Sequence, residues 1–266
     1  MHVVKLLQQL KGSYSTAVDN DFINNAPYYA TFLPLNIRKI FQIFKFDLLN
    51  RGFFVLHTPF VDKIGKTPPS WDYPDSYNPD LYIDYLAILL AALLGDTFAW
   101  ATQQKGKIIH DIIPIEGKGK SQTGYGSTDL LELHTEDSFH PSRGEYLMFY
   151  CLRNIKNVST VVSSIRDVSI SKRHKETLFE NKFFIKADDS HLEKNQRSNY
   201  ISDQYLSNSE DRKVSILYGH RHYPYICYDP YYTVSSEHEA ALSLQYLTKK
   251  MNEKVELLVL NPGDIS

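Results

Sequence analysis

The sequence lacks the features of secreted and membrane proteins. It has only two cysteines in 266 residues, Cys151 and Cys227. Both lie in apolar or aromatic runs, which is typical of buried free thiols rather than of a disulfide framework. No apolar run is long enough to span a bilayer, and the first residues show neither an extended apolar core nor a small-residue cleavage site. We therefore expect a soluble, cytoplasmic protein with no membrane partner.

An excess of either charge is also absent. The 29 lysines and arginines nearly balance the 31 aspartates and glutamates, which removes the electrostatic argument for a nucleic-acid partner. No Pro-, Gly- or Ser-rich linker divides the chain, so we expect residues 1–266 to form a single domain. The polar stretch from about 186 to 213 has no apolar periodicity and is predicted to be a solvated insertion or lid. A small molecule is the expected partner.

Apolar patterns of two kinds alternate along the chain. Runs of helical length or with apolar residues three or four apart predict helices, and β-branched or aromatic runs predict strands. Together they favour a mainly β protein with flanking helices (α+β), built on a double-stranded β-helix, the cupin-like jelly-roll core. Helices are predicted at about 35–50, 81–94, 169–178 and 236–252. Strands are predicted at about 53–57, 157–164 and 255–260, with two more in 214–232 joined by a turn at 219–224.

One short motif, His134-Thr135-Glu136, carries most of the chemical information. Residues two apart on an extended strand face the same side, so one imidazole and one carboxylate would point into a common space. These are two of the three ligands of the 2-His-1-carboxylate iron site. The pattern is common by chance and also fits a solvated surface pair. Apolar runs at 130–133 and 146–152 favour the metal site, because they place the pair where one buried strand ends and another begins.

The wider neighbourhood of this motif resembles a known family. The resemblance runs from about 52 to 266 and is to the clavaminate synthase-like Fe(II)/2-oxoglutarate oxygenases, chiefly the hydroxylases of free lysine and arginine. The segments that carry it, in the family's order, are 100–104, 110–114, 126–127, 134–141 and 151–154. The resemblance implies an enzyme that uses Fe(II), 2-oxoglutarate and O2 to hydroxylate an unactivated carbon of a free L-amino acid, releasing succinate and CO2.

The resemblance also implies roles for individual residues. His134 and Glu136 would be metal ligands, and Thr160 would hydrogen-bond the 2-oxoglutarate carboxylate. Gln104 and Ser127 would contact the amino-acid substrate. Each of these last three polar residues could instead be an ordinary strand or loop residue.

Asp229 is a candidate from its own surroundings. An isolated carboxylate in an aromatic strand is costly to bury unpaired, and a cationic substrate would compensate its charge. In the arginine hydroxylases two acidic residues, two apart, contact the guanidinium, whereas here Cys227 stands two residues before Asp229. This departure leaves lysine or another amino acid open.

Part of the family's site is expected outside these residues. The resemblance implies that the turn at 261–264 opens a strand leading to a distal histidine ligand and to an arginine that pairs with 2-oxoglutarate. Both are expected beyond Ser266, so we expect C-terminal strands to be missing and the 266-residue chain to be inactive alone and less stable. His220 and His222 are the nearest replacements, but turn histidines without a nearby carboxylate are usually solvated.

Two other classes of protein share parts of this pattern. A noncatalytic cupin-like module would keep the barrel and the metal pair but would form no succinate. A zinc hydrolase would use the same ligands with a water, but the sequence contains no His-Glu-x-x-His motif.

Overall fold

The computed structural model describes residues 3–47, 51–72, 81–115, 131–188, 191 and 212–266. These ranges contain six α-helices and eight short strands. The helices are α1 (Val3–Ser13), α2 (Asn20–Ala30), α3 (Leu35–Phe46), α4 (Tyr82–Ala91), α5 (Lys172–Leu178) and α6 (His238–Asn252). The strands are β1 (Leu56–His57), β2 (Ser159–Ser163), β3 (Phe184–Ile185), β4 (Leu217–Gly219), β5 (Pro224–Ile226), β6 (Thr233–Val234), β7 (Val255–Val259) and β8 (Asp264–Ile265). None of the described helices is both long enough and apolar enough to cross a membrane.

The strands pair into antiparallel sheets of two strands each: β1 with β8, β2 with β7, β3 with β6, and β4 with β5. The pair β2–β7 is the longest and places Thr160 opposite Leu258. Tyr150 adds an isolated bridge to Ile265 of β8. Helices combined with antiparallel strands confirm the predicted α+β composition at this coarse level.

The N-terminal helices form one hydrophobic core with α4. Leu6, Leu7 and Leu10 of α1 are buried at helical spacing, and α4 is buried on nearly all sides. The predicted helix at 81–94 is confirmed as Tyr82–Ala91, and the Gly95 N–H closes it by donating to the Ala91 carbonyl at 3.0 Å. Helices α1 and α2 were not predicted from the sequence.

A second core lies between α5, α6 and the strands around them. Leu178, Phe183, Leu217 and Leu247 are fully buried there. The helices predicted at 169–178 and 236–252 are confirmed with slightly later starts, and the hairpin predicted in 214–232 is confirmed as β4 and β5. Because Phe139 belongs to this core, the segment that follows Glu136 is anchored to it.

One predicted strand is shorter in the structure, and another is replaced by an irregular segment and a turn. Of the run 53–57 only Leu56 and His57 form a strand, because β8 pairs with those two residues alone. The His134-Thr135-Glu136 segment is not a strand: residues 131–135 are irregular and a turn occupies 136–139. Within this turn Asp137 adopts a φ of 47°, which a strand does not allow.

A tight turn at Gly263 holds β8 in place. Gly263 has a φ of 92°, and a Cβ at this position would lie 2.9 Å from the Phe60 carbonyl oxygen. The Gly263 N–H donates to the Cys151 carbonyl at 2.8 Å, and the Thr58 hydroxyl donates to the Gly263 carbonyl at 2.6 Å. Glycine is therefore required both for the backbone angle and for the close approach.

Candidate functional site

His134 and Glu136 face each other in the structure. The His134 Nε2 lies 3.4 Å from a Glu136 carboxylate oxygen. The other ring nitrogen, Nδ1, lies 2.7 Å from the Glu132 carbonyl oxygen, so it carries a hydrogen and donates it there. This bond fixes the ring with Nε2 directed at the carboxylate. One nitrogen and one carboxylate oxygen thus converge, as the spacing of two predicted.

Thr135, between the two, turns to the opposite side. Its N–H donates to the Tyr228 carbonyl at 2.7 Å, and its hydroxyl oxygen accepts the Tyr228 N–H at 2.9 Å. A further bond joins this segment to the same part of the chain: the Cys227 thiol donates to the Ser138 carbonyl at 3.2 Å. These bonds hold Thr135 on one side of the backbone, so His134 and Glu136 project to the other side, as they would in a strand.

The pKa of His134 depends mainly on its contact with Glu136. Hydrogen bonding to Glu136 raises the pKa of His134 to about 9, although partial burial acts in the opposite direction. The carboxylate of Asp229 adds to this increase. The side chains are 26% and 49% exposed for His134 and Glu136, respectively, so the pair lies at an accessible surface. His134 is therefore protonated at neutral pH unless a metal ion takes the place of its proton.

Asp229 lies within electrostatic reach of the pair. Burial raises the pKa of its carboxyl group, while the Tyr232 N–H and the charge of His134 lower it. Its Oδ1 accepts the backbone N–H groups of Tyr231 and Tyr232 at 3.1 and 3.2 Å. In the part of the chain that the structure describes, no hydrogen bond involves its Oδ2. Asp229 is thus both a turn cap and a half-buried charge with one oxygen available.

Gln104 is buried and pairs with the backbone of Asp111. Its side-chain N–H2 donates to the Asp111 carbonyl at 3.1 Å, and its carbonyl oxygen accepts the Asp111 N–H at 3.0 Å. Its φ of 42° is unusual for a residue other than glycine. Gln104 therefore closes the loop 104–111. Whether it also contacts a substrate stays a prediction.

The remaining predicted residues lie apart from the pair or outside the described ranges. Thr160 is exposed in β2, and among the residues described no hydrogen bond or ion pair links it to His134 or Glu136. Ser127 lies outside the described residues, and so does most of the predicted lid at 186–213.

A partly buried network beside Glu136 was not predicted. The Trp100 indole N–H donates to one Asp137 oxygen at 2.6 Å, and the other Asp137 oxygen lies 3.0 Å from the His191 Nε2. The His191 Nδ1 lies 2.8 Å from the Thr102 hydroxyl. Asp188 stands farther from His191, at 3.9 Å. His191 is 54 residues from Asp137, in a polar stretch without periodicity, so the sequence gives no signal for this contact.

Asp137, Asp188 and His191 could also hold a metal ion, since their ligand atoms lie within 4.8 Å of one another. However, both oxygens of Asp137 and both nitrogens of His191 already have hydrogen-bond partners. A metal would have to displace these bonds. The network is better suited to fixing the turn that carries Glu136.

His110 lies near the same charges. Burial lowers its pKa, whereas its bond to the Lys107 backbone and the carboxylates of Asp137, Asp111 and Glu136 act in the opposite direction. Its Nε2 is buried and has no hydrogen-bond partner within the described ranges.

The chain is similar to several known hydroxylases, although no family model matches it. It is 32% identical over 281 residues to the L-ornithine/L-arginine 3-hydroxylase of Catenulispora acidiphila, and the match covers 99% of this chain and 82% of that protein. It is 30% identical over 236 residues to the L-lysine 4-hydroxylase of Chitinophaga pinensis, with 86% and 59% covered.

The chain is also similar in structure to a solved oxygenase. The non-heme iron oxygenase OrfP, in complex with Fe, succinate and (3S)-hydroxy-L-Arg, superposes with a TM-score of 0.89 and 33% identity. The superposition covers 99% of this chain and 81% of that one. The same oxygenase in complex with Fe and alpha-ketoglutaric acid superposes with a TM-score of 0.83.

Proposed function

The chain belongs to the clavaminate synthase-like Fe(II)/2-oxoglutarate hydroxylases of free amino acids, and we propose that His134, Glu136 and Asp229 form its working site. The family's reaction defines the cofactor and the co-substrates. The enzyme uses Fe(II), 2-oxoglutarate and O2 to hydroxylate an unactivated carbon of a free amino acid, releasing succinate and CO2.

The observation that carries the assignment is the convergence of the His134 Nε2 and the Glu136 carboxylate, 3.4 Å apart. Imidazole nitrogen with carboxylate oxygen is a donor set that suits Fe(II). The bond from the His134 Nδ1–H to the Glu132 carbonyl is the outer contact that fixes a ligating histidine. The residues present therefore fit the metal as two of its protein ligands.

Fe(II) bound at this pair would supply the activation of O2, coupled to the oxidation of 2-oxoglutarate. The chain's own contribution is orientation. Thr135 holds the pair against Tyr228, and the Asp137 network holds the turn on the other side of Glu136. His134 must release its proton for a metal to bind.

Asp229 is proposed to orient the substrate. Its Oδ2 would accept a hydrogen bond from the side-chain cation of a basic amino acid, of the lysine, ornithine or arginine type. A charge-assisted bond of this kind sets both affinity and direction. It would hold the reacting carbon at a defined distance from the metal pair, which is the main requirement for attack on an unactivated carbon.

The other predicted contacts remain proposals. Thr160 is proposed to hydrogen-bond 2-oxoglutarate, and Ser127 to touch the substrate. Gln104 is proposed to contact the substrate as well. Its side-chain amide would then bind the substrate and the Asp111 backbone at the same time. The antiparallel pairs β1–β8, β2–β7, β3–β6 and β4–β5 are proposed to be parts of one jelly-roll core.

The test is a panel of free amino acids assayed for succinate formation with Fe(II) and 2-oxoglutarate, with mass spectrometry of the products, for the 266-residue chain and for a version extended to the natural stop codon. We expect a gain of one oxygen on lysine, ornithine or arginine. His134→Ala and Glu136→Ala should abolish turnover, while His220→Ala, at an exposed turn, should leave it unchanged. Full activity in His134→Ala would refute the metal assignment. Absence of succinate with every amino acid, from the 266-residue chain and from the extended version alike, would favour the noncatalytic alternative.

A further inference from the structure

A cavity of about 290 Å³ lies outside the proposed working site. It is formed by the short 3-10 turn Ile165–Asp167 after β2, by α5, and by the turn that leads into β5. Neither His134, Glu136 nor Asp229 lines it. Its volume is at the lower end of the range for sites of small organic ligands. The charged and polar side chains around it are Arg51, Arg166, Asp167, Lys175, His222 and Tyr223.

Arg166 lines this cavity, and its guanidinium carries an unpaired donor. Its Nη1 is buried and has no hydrogen-bond partner among the described residues. Its guanidinium carbon lies 5.6 Å from the ring centre of Tyr223 and 5.9 Å from that of Tyr225, so the two rings hold it in place. A partly buried guanidinium without a carboxylate partner is unfavourable, and an anion in the cavity would compensate its charge.

The charges of the lining are not balanced. Asp167 is the only acidic residue among them, and its carboxylate is bound to Arg51, with the Arg51 Nη2 at 2.6 Å. Arg51 also pairs with Glu256 at 2.5 Å. In the described part of the chain, neither Arg166 nor Lys175 has a carboxylate within ion-pair distance. Arg166 and Lys175 therefore line one partly open cavity without a carboxylate partner among the described residues.

We propose that this cavity binds a small organic anion through an oxyanion head, either a phosphate or a carboxylate. The Arg166 guanidinium would donate to the oxyanion, and Lys175 would add a point charge from α5. The tyrosine rings that hold Arg166 would limit the site to ligands that approach the guanidinium from the cavity side. Such a site would be separate from the hydroxylation site, because none of His134, Glu136 and Asp229 lines the cavity.

The experiment is isothermal titration calorimetry of the full chain with inorganic phosphate and, separately, with acetate, at constant ionic strength in chloride. Arg166→Gln should weaken binding by about tenfold or more, and Lys175→Gln by about threefold. The control is Lys172→Gln, because Lys172 lies on the same helix with a side chain 91% exposed and does not line the cavity. It should bind like the unaltered chain.

The two anions separate the possible heads. Tighter binding of phosphate supports a phosphorylated ligand, and tighter binding of acetate supports a carboxylate ligand. Lys175→Gln tests the site independently if Arg166→Gln fails to fold by circular dichroism. The proposal is overturned if neither anion binds, or if Lys175→Gln and Lys172→Gln bind equally well. Hydroxylation by Lys175→Gln should be unchanged. A result that overturns anion binding at this cavity would therefore leave the proposed hydroxylase function unaffected.

Discussion

Replacing Asp229 by asparagine should separate its two roles. Its Oδ1 caps the turn by accepting the N–H groups of Tyr231 and Tyr232, and an asparagine side-chain oxygen can accept the same two bonds. The substitution removes the charge and leaves the cap in place. Alanine at the same position would remove both.

The magnitude follows from the bond that the charge would make. A hydrogen bond to a charged group contributes about 1.5–3 kcal/mol, and each 1.4 kcal/mol is about tenfold in affinity. Asp229 is half-buried, so solvent screens this interaction only in part. Asp229→Asn should therefore raise the KM for a basic amino acid by about 10- to 150-fold. The affinity for 2-oxoglutarate should change little.

The assay is steady-state succinate formation with lysine, ornithine and arginine as variable substrates. Asp229→Ala should raise the same KM and also lower the free energy of unfolding by about 1–2 kcal/mol, through the two lost capping bonds. If Asp229→Asn weakened the binding of the co-substrate 2-oxoglutarate as much as that of the amino acid, or weakened neither, Asp229 would be a turn cap alone.

Three further changes test other parts of the structure. Gln104→Leu should lower the free energy of unfolding by about 2–3 kcal/mol in urea, because both bonds to the Asp111 backbone are lost. Glu136→Gln should flatten the pH dependence of stability of the metal-free protein. Glu136 holds the pKa of His134 at about 9, above the value of about 6.5 in an unfolded chain, so this pair stabilises fully below about pH 6.5, and the stabilisation is lost as the pH rises through about 9. Gly263→Ala should destabilise by more than about 1 kcal/mol because its positive φ does not suit alanine.

Each of these has a control or a contrary result. For Gly263→Ala the control is Gly65→Ala, because a Cβ at Gly65 would meet nothing within 4 Å. Equal stability of the two variants would contradict the argument from close approach. If Gln104→Leu left the free energy of unfolding unchanged but raised the KM for the amino acid, Gln104 would bind the substrate and would not stabilise the loop. An unchanged pH profile in Glu136→Gln would show that the pair does not form in solution.

The sequence predicted those parts of the fold that depend on local pattern. The helices α3, α4 and α6 and the β4–β5 hairpin follow from apolar spacing and turn residues, which act over a few neighbours. The strand at 53–57 was predicted too long, because strand length depends on a partner and β8 offers only two residues. In α1, Leu6, Leu7 and Leu10 do have helical spacing, so this helix could have been predicted.

Some features of the candidate site were likewise predictable from the sequence, and others were not. The convergence of His134 and Glu136 was predictable from their spacing of two, although the structure produces it in an irregular segment held by the bonds of Thr135 to Tyr228 and not in a strand. The contact between Asp137 and His191 was not, because it joins residues 54 apart without any repeating pattern. The loop-closing role of Gln104 depends on its unusual backbone angle, which its neighbours in the sequence do not indicate.

The pairing of β1 with β8 has a consequence for the order in which the protein is made. Leu56 pairs with Ile265, and the Phe149 N–H donates to the Ser266 carbonyl at 2.7 Å. The helices α1, α2 and α4 can pack as soon as they leave the ribosome, but β1 has no partner until more than 200 further residues have been synthesised. Closing so long a loop is slow and entropically costly. During synthesis the backbone of Leu56 and His57, and that of Phe149, therefore stays without these hydrogen bonds until residues 264–266 have been made.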